Sequence, residues 1–268
     1  MSFEPRLIEV HLTPAGLRTD TVSSLLNTMS VPAQELSAKS TTPDNILLPA
    51  TVKVSSSPEY AQRLIVHVAR SFLTSPILIG LITEVDDIKQ PPFTPFTFER
   101  RVKHFESGSI ISSARNGALI AEADNWTAAS LWQPPGFTGG MDAPRYHNPP
   151  PLLKEFITKA AAVRAKYLGP EFRERYWHLS YLARDPSKIS KGAVSAVMRP
   201  FLQRAEEDGV PAWLISVDLH AVQVYEHYGF RVCEKIIIGQ GVARPDGWPE
   251  EGGEGFAVWA MVFDQHLG

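Results

Sequence analysis

The sequence predicts one mixed α/β domain over residues 1–268, with a central sheet of about six to seven strands flanked by helices. Three stretches carry that prediction. Trp177–Arg184 (WHLSYLAR) is a run of aromatic and aliphatic residues stopped by Asp185-Pro186, because proline cannot donate to a strand ladder and turns the chain. Past Gly192 the period changes: Val194, Val197, Met198, Phe201, Leu202 and Ala205 fall at i, i+3, i+4, i+7, i+8 and i+11, one face of an amphipathic helix. A second buried strand follows at 212–218, a short helix at 220–228 and, after the Gly229 break, a third strand at 230–238. The strand–glycine–helix junction is an anion site in principle, since free N–H groups and the positive helix end face the loop. Alone it is a common junction that often binds nothing.

Taken in order, 7–12 alternates apolar and polar as a half-buried strand does, Pro14 ends it, and 17–29 reads as a helix. Residues 30–57 are rich in Ser, Thr and Pro and read as a long inserted loop. Leu64, Ile65, Val68, Ala69 and Phe72 make a helical stripe, followed by the apolar segment ending at Thr83. A second insertion near 85–98 contains PPFTPFTF and should be extended. Residues 99–113 read as one helix, and 118–123 with 127–132 as a hairpin around Asp124-Asn125. A third insertion near 137–151 is rich in Gly and Pro; 152–168 is an amphipathic helix, 239–255 a Gly/Pro loop, and 256–263 the last strand.

Composition narrows the function. With 44% hydrophobic residues, the chain can bury a sizeable core. A formal net charge of −3 and the lack of any basic block argue against nucleic acid as a partner. Cys233, the only cysteine, excludes a disulfide framework and a thiolate metal cluster and reads as an inert core thiol. No leader is visible, and no apolar run reaches the ~18 residues of a membrane span, so the expectation is a cytoplasmic protein with no membrane partner. Oligomeric state is left open.

The order strand, glycine loop, helix, strand, short helix, strand, with VYEHYGF (Val224–Phe230) closing the short helix, resembles the GCN5-related N-acetyltransferase (GNAT) superfamily. The ending Leu131-Trp132-Gln133-Pro134-Pro135-Gly136 is similar to the third strand of a GNAT subgroup common in fungi and actinobacteria. Phe72-x-x-x-Pro76 is similar to the element closing the family's first helical region, beside the acceptor pocket. The resemblance implies the GNAT fold, a sheet splayed between the strands at 177–184 and 212–218, acetyl-CoA as cofactor and a small-molecule acceptor. Backbone groups of Leu182, Ala183 and Arg184 would pair with the pantetheine amides as an added strand. Lys191, Gly192, Ala193, Val194 and Ser195 would meet the pyrophosphate, with Gly192 letting the backbone approach and Lys191 adding charge.

In the same resemblance Tyr225 protonates the leaving thiolate; packing as a core aromatic is its structural alternative. Asp218 stands where it could hydrogen-bond ligand or N-cap the next helix, and His220 follows it. The loop departs from the family pattern Gln/Arg-x-x-Gly-x-Gly/Ala at two positions, Ile189 and Val194. Two functions follow: an acetyl-CoA-dependent N-acetyltransferase in which a small-molecule amine attacks acetyl-CoA directly, or a GNAT-fold protein that has lost acetyl-CoA use and binds or converts a small apolar metabolite in the same cleft. Glu122 and His178 lie on strands near the acceptor side as candidate bases; neither is assigned.

Overall fold

The computed structural model describes residues 8–9, 50–138 and 149–264. These belong to one compact unit. The helix expected over 17–29 and most of the insertions at 30–57 and 137–151 lie outside the described residues.

The first strand, β1 (Ile8–Glu9), pairs antiparallel with β2 (Val52–Ser55), which in turn pairs with β3 (Leu119–Ala123). The sequence places β2 inside a loop. Four residues carry too little alternation to register as a strand, and what makes them one is the ladder from Val52↔Ala123 to Ser55↔Ile120. Ser57 then N-caps α1 (Pro58–Ser71): its side chain accepts from Tyr60 N at 3.3 Å, with Pro58 in the first turn. The apolar segment that follows is a second helix, α2 (Pro76–Val85).

The single helix expected over 99–113 is two, α3 (Phe98–Ser107) and α4 (Ile110–Arg115). Gly108 adopts an extended conformation and donates its N–H to Phe105 O, ending α3 before the apolar pattern runs out. β3 and β4 (Ala128–Gln133) form the expected hairpin, with Asp124, Asn125 and Trp126 at positive φ in its turn. The remainder follows the sequence reading: α5 (Pro151–Leu168), β5 (Trp177–Arg184), α6 (Ala193–Glu207), β6 (Ala212–Ser216), α7 (Leu219–His227), β7 (Arg231–Ile238) and β8 (Phe256–Phe263).

The eight strands form one mixed sheet in the order β1-β2-β3-β4-β5-β6-β8-β7, antiparallel throughout except for β5 and β6. Alternation sends successive side chains to opposite faces. Trp177 and Leu179 of β5 and Leu214 of β6 join the core under α6 and α7. Tyr181 and Ala183 join the core under α1, and Trp213 and Ile215 the core under α5. Helix α6 is also tied to β4 by polar bonds, since Val197 O accepts from Ser130 Oγ at 3.0 Å and Trp132 Nε1 at 3.1 Å. Among the described residues no single helix is long and apolar enough to cross a membrane.

Candidate active site

The site begins where two parallel strands stop pairing. β5 and β6 run in register only through Trp177↔Ala212, His178↔Trp213 and Leu179↔Leu214, and then part. The cause lies on the other edge of β5. There Trp132 pairs with Leu179 and Leu131 with Tyr181, so Ser180 is an extra residue, a β-bulge that bends the strand away from β6.

The bulge also flips the hydrogen-bonding phase. Above it Trp177 N donates to Pro211 O at 2.9 Å, facing β6. Below it Asp185 N donates to Thr127 O of the β3–β4 hairpin at 2.9 Å, which by alternation commits Ala183 and Tyr181 to β4. The amides and carbonyls of Leu182 and Arg184 therefore turn into the gap, where Arg184 O accepts from Ser71 Oγ at 2.9 Å. Of the three residues expected to offer backbone to a cofactor, Leu182 has both groups on the open side, and Ala183 has neither.

A cavity of about 1610 Å³ opens at the gap and extends between α2 and α5. Leu182, Ala183, Arg184, Val194, Asp218 and Tyr225 line it. Lys191, Gly192, Ala193 and Ser195 sit outside that lining, at and just ahead of the start of α6. Gly192 is at φ 85°, no side chain caps the helix there, and a Cβ on it would meet nothing within 4 Å. Lys191 is exposed and Ala193 buried. Ser195 Oγ lies 2.9 Å from Tyr228 Oη, so its hydroxyl is engaged across to α7.

The two departures from the family loop have different consequences. Ile189 is 93% exposed. Val194 packs against the core beneath α6 and forms part of the cavity wall. Asp218 Oδ1 accepts from Ala221 N at 2.7 Å, the N-cap of α7 that the sequence suggests.

Tyr225 is buried, with its ring edge-on to Phe230 at 6.0 Å. Burial pushes its phenol up from the ordinary value and the Asp218 charge adds to that. At neutral pH Tyr225 keeps its proton. His178 also lines the cavity, and its Nδ1 lies 3.0 Å from Gln133 Oε1. Burial, helped by the Arg164 charge, lowers its pKa to about 3, so the ring is neutral. Gln133 Oε1 can only accept, so Nδ1 carries the proton and Nε2 keeps the lone pair. Ser180 is also among the lining residues, with its Oγ buried and without a hydrogen-bond partner. Burial and the Arg100 charge lower His104, farther along the wall, to about 4.

Glu122 does not reach the cavity: its Oε2 accepts from Trp126 N at 2.9 Å and serves the hairpin turn. Sequence reasoning missed Ser180, Gln133 and His104. The first depends on strand register, and the others on contacts distant in sequence.

A mixed sheet whose central parallel pair splays beside a bulge, followed by a helix that no side chain caps, matches what the resemblance implies: the chain has the GNAT fold. No protein-family model matches it. An uncharacterized N-acetyltransferase of Schizosaccharomyces pombe is 24% identical over 132 residues, 45% of this chain and 53% of that protein. An uncharacterized protein of Saccharomyces cerevisiae is 26% identical over 145 residues, 54% of this chain and 60% of that one. The chain thus spans little more than half the length of these curated relatives. Among solved structures, the C-terminal condensation domain of Ebony, in complex with beta-alanyl-dopamine, superposes with a TM-score of 0.51 at 12% identity, over 80% of this chain and 98% of that one.

Proposed function

We propose that the protein is an acetyl-CoA-dependent N-acetyltransferase acting on a small-molecule amine. The observation that carries this reading is the splay of β5 from β6, which leaves Leu182 backbone facing an open gap with Tyr225 in its wall. The fission-yeast relative, named an N-acetyltransferase, points the same way.

The residues present fit the cofactor. Leu182 N–H and C=O, turned into the gap, take the pantetheine amides as an added strand. The first amides of α6 take the pyrophosphate, since no side chain caps them and open space surrounds Gly192. Lys191 is free to supply charge at the same end. Acetyl-CoA contributes a thioester whose acyl group is transferred. In the reaction the amine nitrogen forms the new N–C bond while the C–S bond breaks. Tyr225, holding its proton at neutral pH, gives it to the departing sulfur. The nitrogen releases its surplus proton to water in the cleft, and solvent restores Tyr225. Holding the amine and the acyl group in one cleft supplies much of the rate.

The direct test is thermal stability with coenzyme A. A ligand that binds only the folded chain at one hundred times its Kd adds about 2.7 kcal/mol to stability. A rise in melting temperature on adding millimolar coenzyme A is the expected result. No shift overturns the acetyl-transfer reading and leaves the small apolar metabolite as the occupant of the cleft.

A further inference from the structure

Past the last β5–β6 pair, Leu179↔Leu214, the next residue of β6 is Ile215, and Trp213 shares its face. From there the cavity runs on as an arm between α2 and α5. Ile77 and Leu81 stand one helical turn apart on α2, Leu153 and Ile157 likewise on α5, and all four join Trp213 and Ile215 in one apolar cluster. The side chains of Ile77, Leu81, Leu153, Ile157 and Ile215 are half-buried, with apolar surface left for another apolar body to cover.

Charge decides what that body is. Leu153, Ile157, Ala161 and Arg164 follow one another down one face of α5, so the row ends in a cation whose charge reaches His178. Among the described residues, the carboxylates lining the cavity are engaged or out in water. Asp86 is held by two nitrogens of Arg100 at 2.6 Å each, Asp218 caps α7, and Glu174 is exposed. A protonated amine in the arm would give up water for carbon and a like charge, with no buried carboxylate at hand to offset the loss. An uncharged alkyl chain meets no such cost.

We propose that the arm holds the acyl chain of the donor, and that the protein transfers straight-chain acyl groups longer than acetyl. This rests on the reading of the β5–β6 gap as the seat of a coenzyme A thioester, and adds which thioester. With the carbonyl carbon at the gap beside Leu182 and Tyr225, the chain enters the arm at Ile215 and lies along Leu81 and Ile157. The step balances as it does for acetyl. The amine nitrogen bonds the carbonyl carbon and loses its surplus proton to water, the C–S bond breaks, and the sulfur leaves as the thiol with a proton from Tyr225. The products are an N-acyl amide and coenzyme A, and nothing is oxidised or reduced. Each methylene that leaves water for the arm should raise affinity about fourfold until the arm is full.

Calorimetric titration of the whole protein with acetyl-, butanoyl-, hexanoyl- and octanoyl-coenzyme A tests this. The expected result is a stepwise gain of about fourfold per methylene, with hexanoyl- at least tenfold tighter than acetyl-coenzyme A. Leu81→Asp should flatten the series and Leu81→Met, of similar volume, should keep it. The thermal shift with free coenzyme A, which has no acyl chain to place in the arm, is measured on each variant as a check of its folding and of the cofactor site. Equal or falling affinity along the series, while free coenzyme A still raises the melting temperature, overturns the acyl arm and leaves acetyl transfer standing. A chain-length gain that survives Leu81→Asp overturns the arm as well. If free coenzyme A gives the parent no shift, the acetyl-transfer reading falls, and this inference falls with it.

Discussion

Tyr225 packs its ring edge-on against Phe230 while its side chain forms part of the cavity wall, so structure and chemistry draw on different atoms of one residue. The ring serves the core under α7; only the hydroxyl can serve a reaction. Because burial and Asp218 hold the phenol above its ordinary value, it is a donor and not a base. Tyr225→Phe keeps the ring and removes the donor. In a steady-state assay with acetyl-CoA and an amine acceptor, kcat should fall about 10²- to 10⁴-fold, the range for loss of a general acid, while the melting temperature stays near that of the parent. A variant with parental kcat would return Tyr225 to the core and end its catalytic assignment.

At the scale of elements, β5 does the most for the site, and what it does comes from one extra residue. Ser180 shifts the ladder so that Ala183 bonds to β4 while Leu182 faces the gap. Hydrogen exchange resolved to single amides reads this directly. Leu182 N–H should exchange faster than Ala183 N–H in the free protein and slow on addition of coenzyme A, with Ala183 unchanged. Protection of Ala183 in place of Leu182 would mean that the phase is the other way round and that the backbone does not receive the ligand as described.

The same strand shows what a sequence can and cannot disclose. Trp177–Arg184 is legible as a strand because its composition is local, and α6 because six apolar residues repeat at helical spacing. Tyr225 and Gly192 are singled out only by the family pattern around them; Tyr225 lies in the cavity wall and Gly192 at the start of α6. The bulge is not, because it is a relation between Leu131, Trp132 and Tyr181 on two strands and leaves no mark on Ser180 itself. β2 escapes notice for a similar reason: four residues become a strand only by pairing with β3. The break between α3 and α4 rests on the backbone of Gly108, inside an apolar pattern that otherwise reads straight through.

Across the whole molecule, the site's neutral histidines carry a cost in acid. His178 titrates at about 3 and His104 at about 4 in the folded chain, against about 6.5 for an unfolded histidine, and burial lowers His67 as well. Between pH 6.5 and 4 the unfolded chain therefore binds protons that the folded chain refuses, so stability is full above pH 6.5 and falls as pH drops. Each of His178 and His104 removes about 1.4 kcal/mol per pH unit over its window. Against a total of roughly 5–15 kcal/mol for an ordinary domain, two such groups are enough to bring unfolding into mildly acid solution. Glu84 opposes them, because burial raises its pKa and its protonation favours the folded chain, but a single carboxyl cannot cancel three rings. Urea unfolding at intervals from pH 7.5 to 4.5 should give a midpoint that is level near neutrality and declines steadily below pH 6.5. His104→Asn, which removes one titrating group from the wall, should make that decline shallower by about 1.4 kcal/mol per pH unit. A midpoint that holds level down to pH 5 would mean that these rings are hydrated in solution, and with them the cavity wall that His178 and His104 line.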